Sequence, residues 1–345
     1  MGLPAGTGVG VRSIWLGLLF ASLVGHAGAA QGYLVVVSGL GGDQVHRVRF
    51  HDWAVTLLDA ARDRLGVPES HTVYLAERPE RDPERIDAES TRENVAAELT
   101  RLAGEAEPDA SVFILLIGHG SYQGDESQFS LPGPDMSAED FAVLLDRFET
   151  QQVAFVNTAS ASGDFVAVLS GPGRTIVTAT KSAFERNETM FCEHFVRAFA
   201  EDGADVDKDD MVSLLEAFNY ARREVERVYE RESRLLTEHA VLDDNGDGEG
   251  SVDPDPSAGD GALAQRLFLG LAPGALVATA ADDSVLVGLY RRRQELQNGI
   301  ADLRSRKEAM DPTTYERELE LLLVELAQTA QAIREREGGG DGDCD

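Results

Sequence analysis

The sequence predicts an α/β fold, a mostly parallel β-sheet with helices packed on both faces. Short apolar runs alternate with stretches of helical periodicity through the first half of the 345 residues. One run, "SVFILLIG" at 111–118, is apolar throughout, as a strand covered on both faces must be. Strand, helix, strand, helix in that order implies parallel pairing with crossover helices. A chain of this length, 43% hydrophobic and 27% charged, has room for about two folded units.

Residues 1–30 stand apart. Arg12 precedes the apolar run "SIWLGLLFASLVG", which is short for a membrane span and leads into the small residues of "HAGAAQ". This predicts a secretory signal peptide cleaved after Ala29 or Ala30. No other apolar run approaches the roughly 20 residues of a spanning helix. The mature chain is therefore expected to be exported, to the periplasm or the extracellular space, with no membrane partner after signal cleavage.

The α/β domain is predicted over 31–203. "YLVVVS" (33–38) is its first strand, followed by a helix with Ala54, Leu57, Leu58, Ala61 and Leu65 on one face, then the strand "TVYLA" (72–76). Ser90 and Glu93 have the spacing of a capping box that starts a helix carrying Val95, Leu99 and Leu102 inward. After the strand at 111–118, "LPGPD" reads as part of a loop, and Phe141, Leu144, Leu145 and Phe148 mark another helix. "VAFVN" (153–157) and "RTIVTAT" (174–180) complete the strands. Phe191, Cys192, Phe195 and Phe199 lie in a helical pattern, so Cys192 reads as a small buried hydrophobe.

An acidic, glycine-punctuated extension follows over 204–275. It holds one long helix near 211–232, with Leu215, Phe218, Ala221, Val225 and Val228 on a stripe, and a loop of turn formers at 243–261. Residues 280–337 predict an antiparallel helical hairpin: Leu289, Leu296, Leu303 and Met310 repeat every seven residues, and Tyr315, Leu319, Leu322, Leu326 and Ile333 line the return. Asp311 caps the second helix and Pro312 takes its first position. The seam serves packing within the hairpin, with self-association as its other use. The tail "GGGDGDCD" (338–345) is expected to be disordered. With one cysteine in a helix and the other, Cys344, in that tail, no structural disulfide is expected.

A formal charge of −30 argues against nucleic acid and anionic membranes as partners, since both require basic patches. It favours divalent cations or basic proteins. In parallel sheets ligands gather beyond the carboxyl ends of the strands, where "GHGS" and "TASASG" fall. His119, flanked by Gly118 and Gly120, is a candidate base beside backbone N–H groups that can approach a substrate. In "VAFVNTASASGDF" (153–165) a buried strand breaks into a tight turn, with Ser160 and Ser162 as the hydroxyl candidates.

"FILLIGHGSYQG" followed about forty residues later by "FVNTASASG" resembles the legumain family of cysteine peptidases, which share the caspase-like fold. The resemblance runs from "YLVVVSGLGG" through "TATKS", roughly half the chain. It implies a caspase-like three-layer fold, a catalytic histidine at His119, an oxyanion-hole glycine at Gly120 and the nucleophile position at Ser160. Three departures stand out. Serine replaces the cysteine, Thr158 stands where the plant and animal enzymes place an acidic residue, and "GGDQVHRV" offers no asparagine to orient the histidine. A thiol with pKa ~8.5 supplies some thiolate unaided, whereas a hydroxyl needs a tightly held base. The resemblance therefore implies an exported peptidase homologue, acting on or holding a peptide or protein, that is impaired or inactive as a cysteine peptidase. An active serine-type endopeptidase or acyl hydrolase using Ser160 and His119 is one alternative, and a peptide-binding or assembly scaffold is the other.

A second signal is "DVDKDDMVSLLE" (205–216). Asp205, Asp207 and Asp209 alternate, Met211 offers a carbonyl at the seventh position, Ser213 is ninth and Glu216 the bidentate twelfth, as in a Ca²⁺-binding loop. Asp210 replaces the usual glycine. "DDNGDGEGS" repeats the spacing with Asp243, Asn245 and Asp247 but lacks the final glutamate. A structural Ca²⁺ is expected at the first loop. The other reading is a solvated acidic loop in which Asp209 or Asp210 caps the helix starting near Met211.

Overall fold

The computed structural model describes residues 32–209, 211–270, 283–306 and 310–338. The predicted signal peptide, Asp210 and the tail after Gly338 lie outside the described residues. A seven-stranded sheet runs in the order β10-β9-β8-β4-β1-β2-β3. Its strands are β1 (Gly32–Ser38), β2 (Thr72–Ala76), β3 (Ala88–Glu89), β4 (Ser111–Ile117), β8 (Gln152–Asn157), β9 (Arg174–Thr178) and β10 (Val241–Asp243). All pairs are parallel except β10 with β9.

The alternation of side chains across this sheet makes two cores from one set of strands. Leu34 and Val36 of β1, Phe113 and Leu115 of β4, and Ala154 and Val156 of β8 face one core; Val35 and Val37, Ile114 and Leu116, and Val153 and Phe155 face the other. The first core is roofed by α1 (Gln44–Asp63), α5 (Phe191–Ala200) and α6 (Leu214–Arg231). The second is roofed by α2 (Arg92–Glu105), α3 (Ala138–Leu145) and α4 (Phe165–Leu169). This is the expected three-layer α/β arrangement. Residues on both sides of position 203 share one core, because α6 packs with α5 and β10 extends the sheet.

Several local expectations are corrected. Thr91, not Ser90, caps α2 by accepting from Asn94 N–H at 3.3 Å. Ser90 is buried and donates to the Ser38 carbonyl at 2.7 Å, which ties the β3 end to β1. The segment after His119 is not a plain loop: β5 (Gly120–Gln123), β6 (Glu126–Phe129) and β7 (Met136–Ser137) form a small antiparallel sheet. Helix α6 starts at Leu214, where Ser213 and Glu216 form a reciprocal capping box in place of an aspartate cap. Tyr229, one residue past Val228, is its last buried contact.

The hairpin helices span Ser284–Ser305 and Pro312–Gly338. Tyr290 packs with Ile333, and Leu296 and Ile300 pack with Leu326, as antiparallel pairing requires. Asp311 accepts from Thr314 N–H at 2.9 Å, the predicted cap. Buried Arg293 donates to the Asp209 carbonyl at 3.4 Å, and Gln297 donates to the Asp209 carboxylate, so the hairpin touches the acidic loop. No helix among the described residues is long and apolar enough to cross a membrane.

Candidate active site

Strand β4 ends at Ile117 and passes the chain to Gly118 and His119; β8 ends at Asn157 and passes it to Thr158, Ala159 and Ser160. Since β4 and β8 are parallel neighbours, both ends leave the same edge of the sheet. His119 and Ser160 line one small crevice there, with Thr158, Glu188 and Cys192 among its other walls. The approach is close enough to exclude a side chain at position 120. A Cβ added to Gly120 lies 2.1 Å from the Ser160 carbonyl oxygen.

The turn after β8 is held in an uncommon shape. Ala161 has φ +53°, a left-handed conformation that residues with a side chain seldom adopt, and its N–H donates to the Glu185 carbonyl at 2.8 Å. Ser162 N–H and Gly163 N–H both donate to Thr180 Oγ1, at 2.8 and 3.1 Å, and the Ser162 hydroxyl pairs with the same oxygen at 3.1 Å. Ser162 therefore fixes the turn. Ser160 is the hydroxyl left at the crevice.

The Ser160 hydroxyl donates to the Gly120 carbonyl at 3.2 Å, and no hydrogen bond joins it to His119 among the described residues. The His119 ring instead lies edge-on to the rings of His46 and Phe50, with centroids 4.8 and 5.2 Å away. Burial first, and then the neighbouring His46, hold the His119 pKa below the ordinary histidine value; Glu188, the Gly41 carbonyl and Asp43 pull it the other way. His119 is accordingly a neutral imidazole at neutral pH, able to take up a proton.

None of these neighbours of His119 stands out in the sequence as a site residue. His46 places one ring nitrogen 2.9 Å from Asp43 and the other 3.3 Å from Glu188, which also pairs with Arg49. His46, Phe50, Ala54 and Leu57 recur at helical spacing on α1, a pattern that would have put His46 on the inward face. Nothing near Glu188 in sequence marks it.

Backbone donors are present at Gly120 and Ser160. His119 O accepts from Ser130 N–H at 3.0 Å, which makes Gly120–Phe129 a non-hydrogen-bonded pair of the β5–β6 ladder and leaves Gly120 N–H outside it. Ser160 N–H has no acceptor among the described residues. Cys192 borders the same crevice but is 1% exposed, and burial pushes its thiol up to about 12. It stays protonated and is no substitute nucleophile.

The first acidic loop gathers Asp205, Asp207 and Asp209, whose carboxylate oxygens lie within 4.8 Å of one another. Asp207 Oδ1 is buried without a hydrogen-bond partner. Burial and mutual repulsion raise the pKa of both Asp207 and Asp209. Met211 donates its N–H to Asp209, and Glu216 is committed to the α6 cap, accepting from Ser213 N–H and Oγ at 3.0 and 2.8 Å and from Val206 N–H at 3.0 Å. In the second loop Asn245 and Asp247 hydrogen-bond each other, while Asp243 sits in β10 and accepts from Gly246 N–H at 3.2 Å. Asp244 organises this region instead, accepting from Gly261, Leu263 and Ala264 N–H at 2.7–2.8 Å.

The sequence matches no family model and no curated protein. Among solved structures the fold is similar to the Drosophila initiator caspase Dronc, with a TM-score of 0.40 and 10% identity over 69% of this chain and 84% of that one. It is also similar to protein GSU0716 of Geobacter sulfurreducens, with a TM-score of 0.41 and 12% identity over 70% and 99% of the two chains. Both likenesses are distant. The chemistry rests on the crevice's own residues.

Proposed function

We propose that this chain is an exported homologue of the legumain-type, caspase-fold peptidases whose cysteine-peptidase chemistry is lost or strongly impaired because Ser160 stands in the nucleophile position. One observation carries the reading: His119 and Ser160 share a crevice, yet the Ser160 hydroxyl is given to the Gly120 carbonyl and no hydrogen bond joins it to His119 among the described residues. A hydroxyl needs a base to remove its proton as it attacks, and this one donates elsewhere. The cleft then serves to hold a peptide or protein segment.

A second reading, a serine-type acyl hydrolase, is favoured by the two unengaged backbone donors. In it Ser160 Oγ attacks the substrate carbonyl, His119 takes the proton, and Gly120 and Ser160 N–H hold the oxyanion. A fluorophosphonate probe separates the two readings. The impaired peptidase leaves wild type as unlabelled as Ser160→Ala, whereas labelling of wild type that vanishes in Ser160→Ala establishes the hydrolase and overturns the first reading.

The same proposal includes a structural Ca²⁺ at Asp205, Asp207 and Asp209, supported by the buried, unpartnered Asp207 oxygen beside two further carboxylates. Met211, Ser213 and Glu216 complete the set once Glu216 exchanges part of its capping role for the ion. The weaker loop with Asp243, Asn245 and Asp247 is left outside this assignment. For self-association the hairpin offers Leu321 and Val324, exposed on its second helix. A sedimentation coefficient independent of concentration, in wild type and Leu321→Lys alike, would dismiss that use.

A further inference from the structure

Strand β10 runs antiparallel to β9 with Asp243 beside Ile176, so the turn that follows it heads for the amino end of β9, away from the His119 crevice. It packs there: a Cβ added to Gly246 lies 3.6 Å from Gly171, just ahead of β9, and Gly248 N–H donates to Ser170 Oγ at 3.0 Å. This is the loop in which the sequence repeats the Asp-Asn-Asp spacing without its final glutamate.

The carboxylates at its base are buried without a counter-ion. Asp243 is 1% exposed; its Oδ1 accepts from Gly246 N–H, and its Oδ2 is buried with no partner. Asp260, 5% exposed, accepts from Asp244 N–H at 3.1 Å and Asn245 N–H at 3.3 Å, which sets it against the two residues that follow Asp243. Burial pushes the Asp260 carboxyl up against those two donors, and the charges of Asp243 and Asp244 push it further. No lysine, arginine or histidine makes an ion pair with Asp243, Asp244 or Asp260 among the described residues. Asp244 brings no relief, since both of its oxygens are spent on three backbone N–H groups. A buried carboxylate oxygen left in this state is costly, and a cation is what offsets two such groups side by side.

We propose that Asp243 and Asp260 hold a buried Ca²⁺ at this edge of the sheet, with Asp260 in the place of the missing glutamate and Asn245 and Asp247 closing over the ion. The donors are oxygens alone, the class that suits a hard cation; a cage of carboxylate and amide oxygens is how Ca²⁺ is held, whereas Mg²⁺ keeps several waters. Asn245 and Asp247 are exposed and bonded to each other, so they turn inward without unpacking the core. Backbone N–H groups already fix both anchoring carboxylates, and burial shields them, so this site keeps its ion more tightly than the partly exposed Asp205 and Asp207 keep theirs. It is a second ion, independent of the one at the first loop, and it ties the acidic extension to β9.

The test is the metal content of the full chain, loaded with about 1 mM Ca²⁺, desalted into Ca²⁺-free buffer and read by plasma mass spectrometry. Wild type and Asp207→Asn should each retain about one calcium per chain, and Asp260→Asn should retain none. Its asparagine keeps an oxygen for the two N–H groups, and an unchanged melting temperature in chelator verifies the fold. Asp243→Asn, which keeps an acceptor for Gly246 N–H, is the second variant and should lose the calcium in the same way. Wild type that retains no calcium, or another metal in its place, overturns the proposal, and so does calcium that survives in a folded Asp260→Asn or Asp243→Asn chain. Calcium lost in Asp207→Asn overturns it too and assigns the retained ion to the first loop. The ion of that loop is read separately, by the melting shift that added Ca²⁺ causes in wild type and not in Asp207→Asn, and its absence leaves this result standing.

Discussion

Glu238→Gln should remove a pH dependence of stability between about pH 4.5 and 7. Glu238 is 3% exposed and accepts from Met190 N–H at 3.0 and 2.9 Å and from Phe191 N–H at 3.3 Å, so it anchors the start of α5, the helix that brings Cys192 to the crevice. Burial raises its pKa from 4.5 to about 7, against those backbone donors and Tyr229, which favour the carboxylate. The folded chain therefore holds a proton that the unfolded chain has released between those two values. Stability from this group is complete below pH 4.5 and is lost as pH rises through about 7. At 1.36 kcal/mol per pH unit the loss is about 3 kcal/mol. The assay is urea unfolding of wild type and variant at several pH values between 4 and 8. With a slope of about 3 kcal/mol per molar, the midpoint difference between the two proteins should move by about 1 M urea across that window. The other carboxylates titrate in both proteins and cancel. A difference that stays flat from pH 4 to 8 refutes the reasoning and places the backbone donors above burial in their effect on Glu238.

Further consequences follow from the same contacts. Gly120→Ala forces a Cβ to within 2.1 Å of the Ser160 carbonyl and should cost about 1–3 kcal/mol in urea unfolding; a wild-type midpoint would show that the two strand ends are free to separate. Ser90→Ala should cost about 1–3 kcal/mol by leaving the buried Ser38 carbonyl without its donor, and equal stability would return the residue to a mere flanking position of α2. Ca²⁺ at 1 mM should raise the melting temperature of wild type and leave Asp207→Asn unmoved, by about 2.7 kcal/mol of linkage if that is a hundredfold excess over Kd. A melting temperature that ignores both Ca²⁺ and chelator removes the ion from the account.

What the sequence made visible divides along physical lines. The continuous apolar run at 111–117 and the spacing of Val95, Leu99 and Leu102 report burial directly, and those elements stand where expected. Strands of two to four residues, such as β5 to β7 and β10, are too short to show a period, and they form because a neighbouring edge is there to pair with. The α2 cap turned on a single residue: Ser90 and Thr91 both suit the role locally, and the Ser38 carbonyl, 52 positions away, engaged Ser90. His119 and Ser160 were legible because each closes an apolar strand. Their supports were not, since Gly41, His46 and Glu188 reach the imidazole only through the folding of α1 and of the segment before α5.

The most direct measurement is peptide hydrolysis by Ser160→Cys, with Ser160→Cys/His119→Ala as its partner, on a broad fluorogenic peptide mixture at pH 7. An unassisted thiol of pKa ~8.5 is about 3% thiolate there, and it sits where the hydroxyl now borders the His119 crevice. Hydrolysis that appears with the thiol and disappears when the imidazole is removed is the predicted result. A Ser160→Cys chain as inert as Ser160→Ala, or one indifferent to His119, would mean that the two strand ends do not compose a single site.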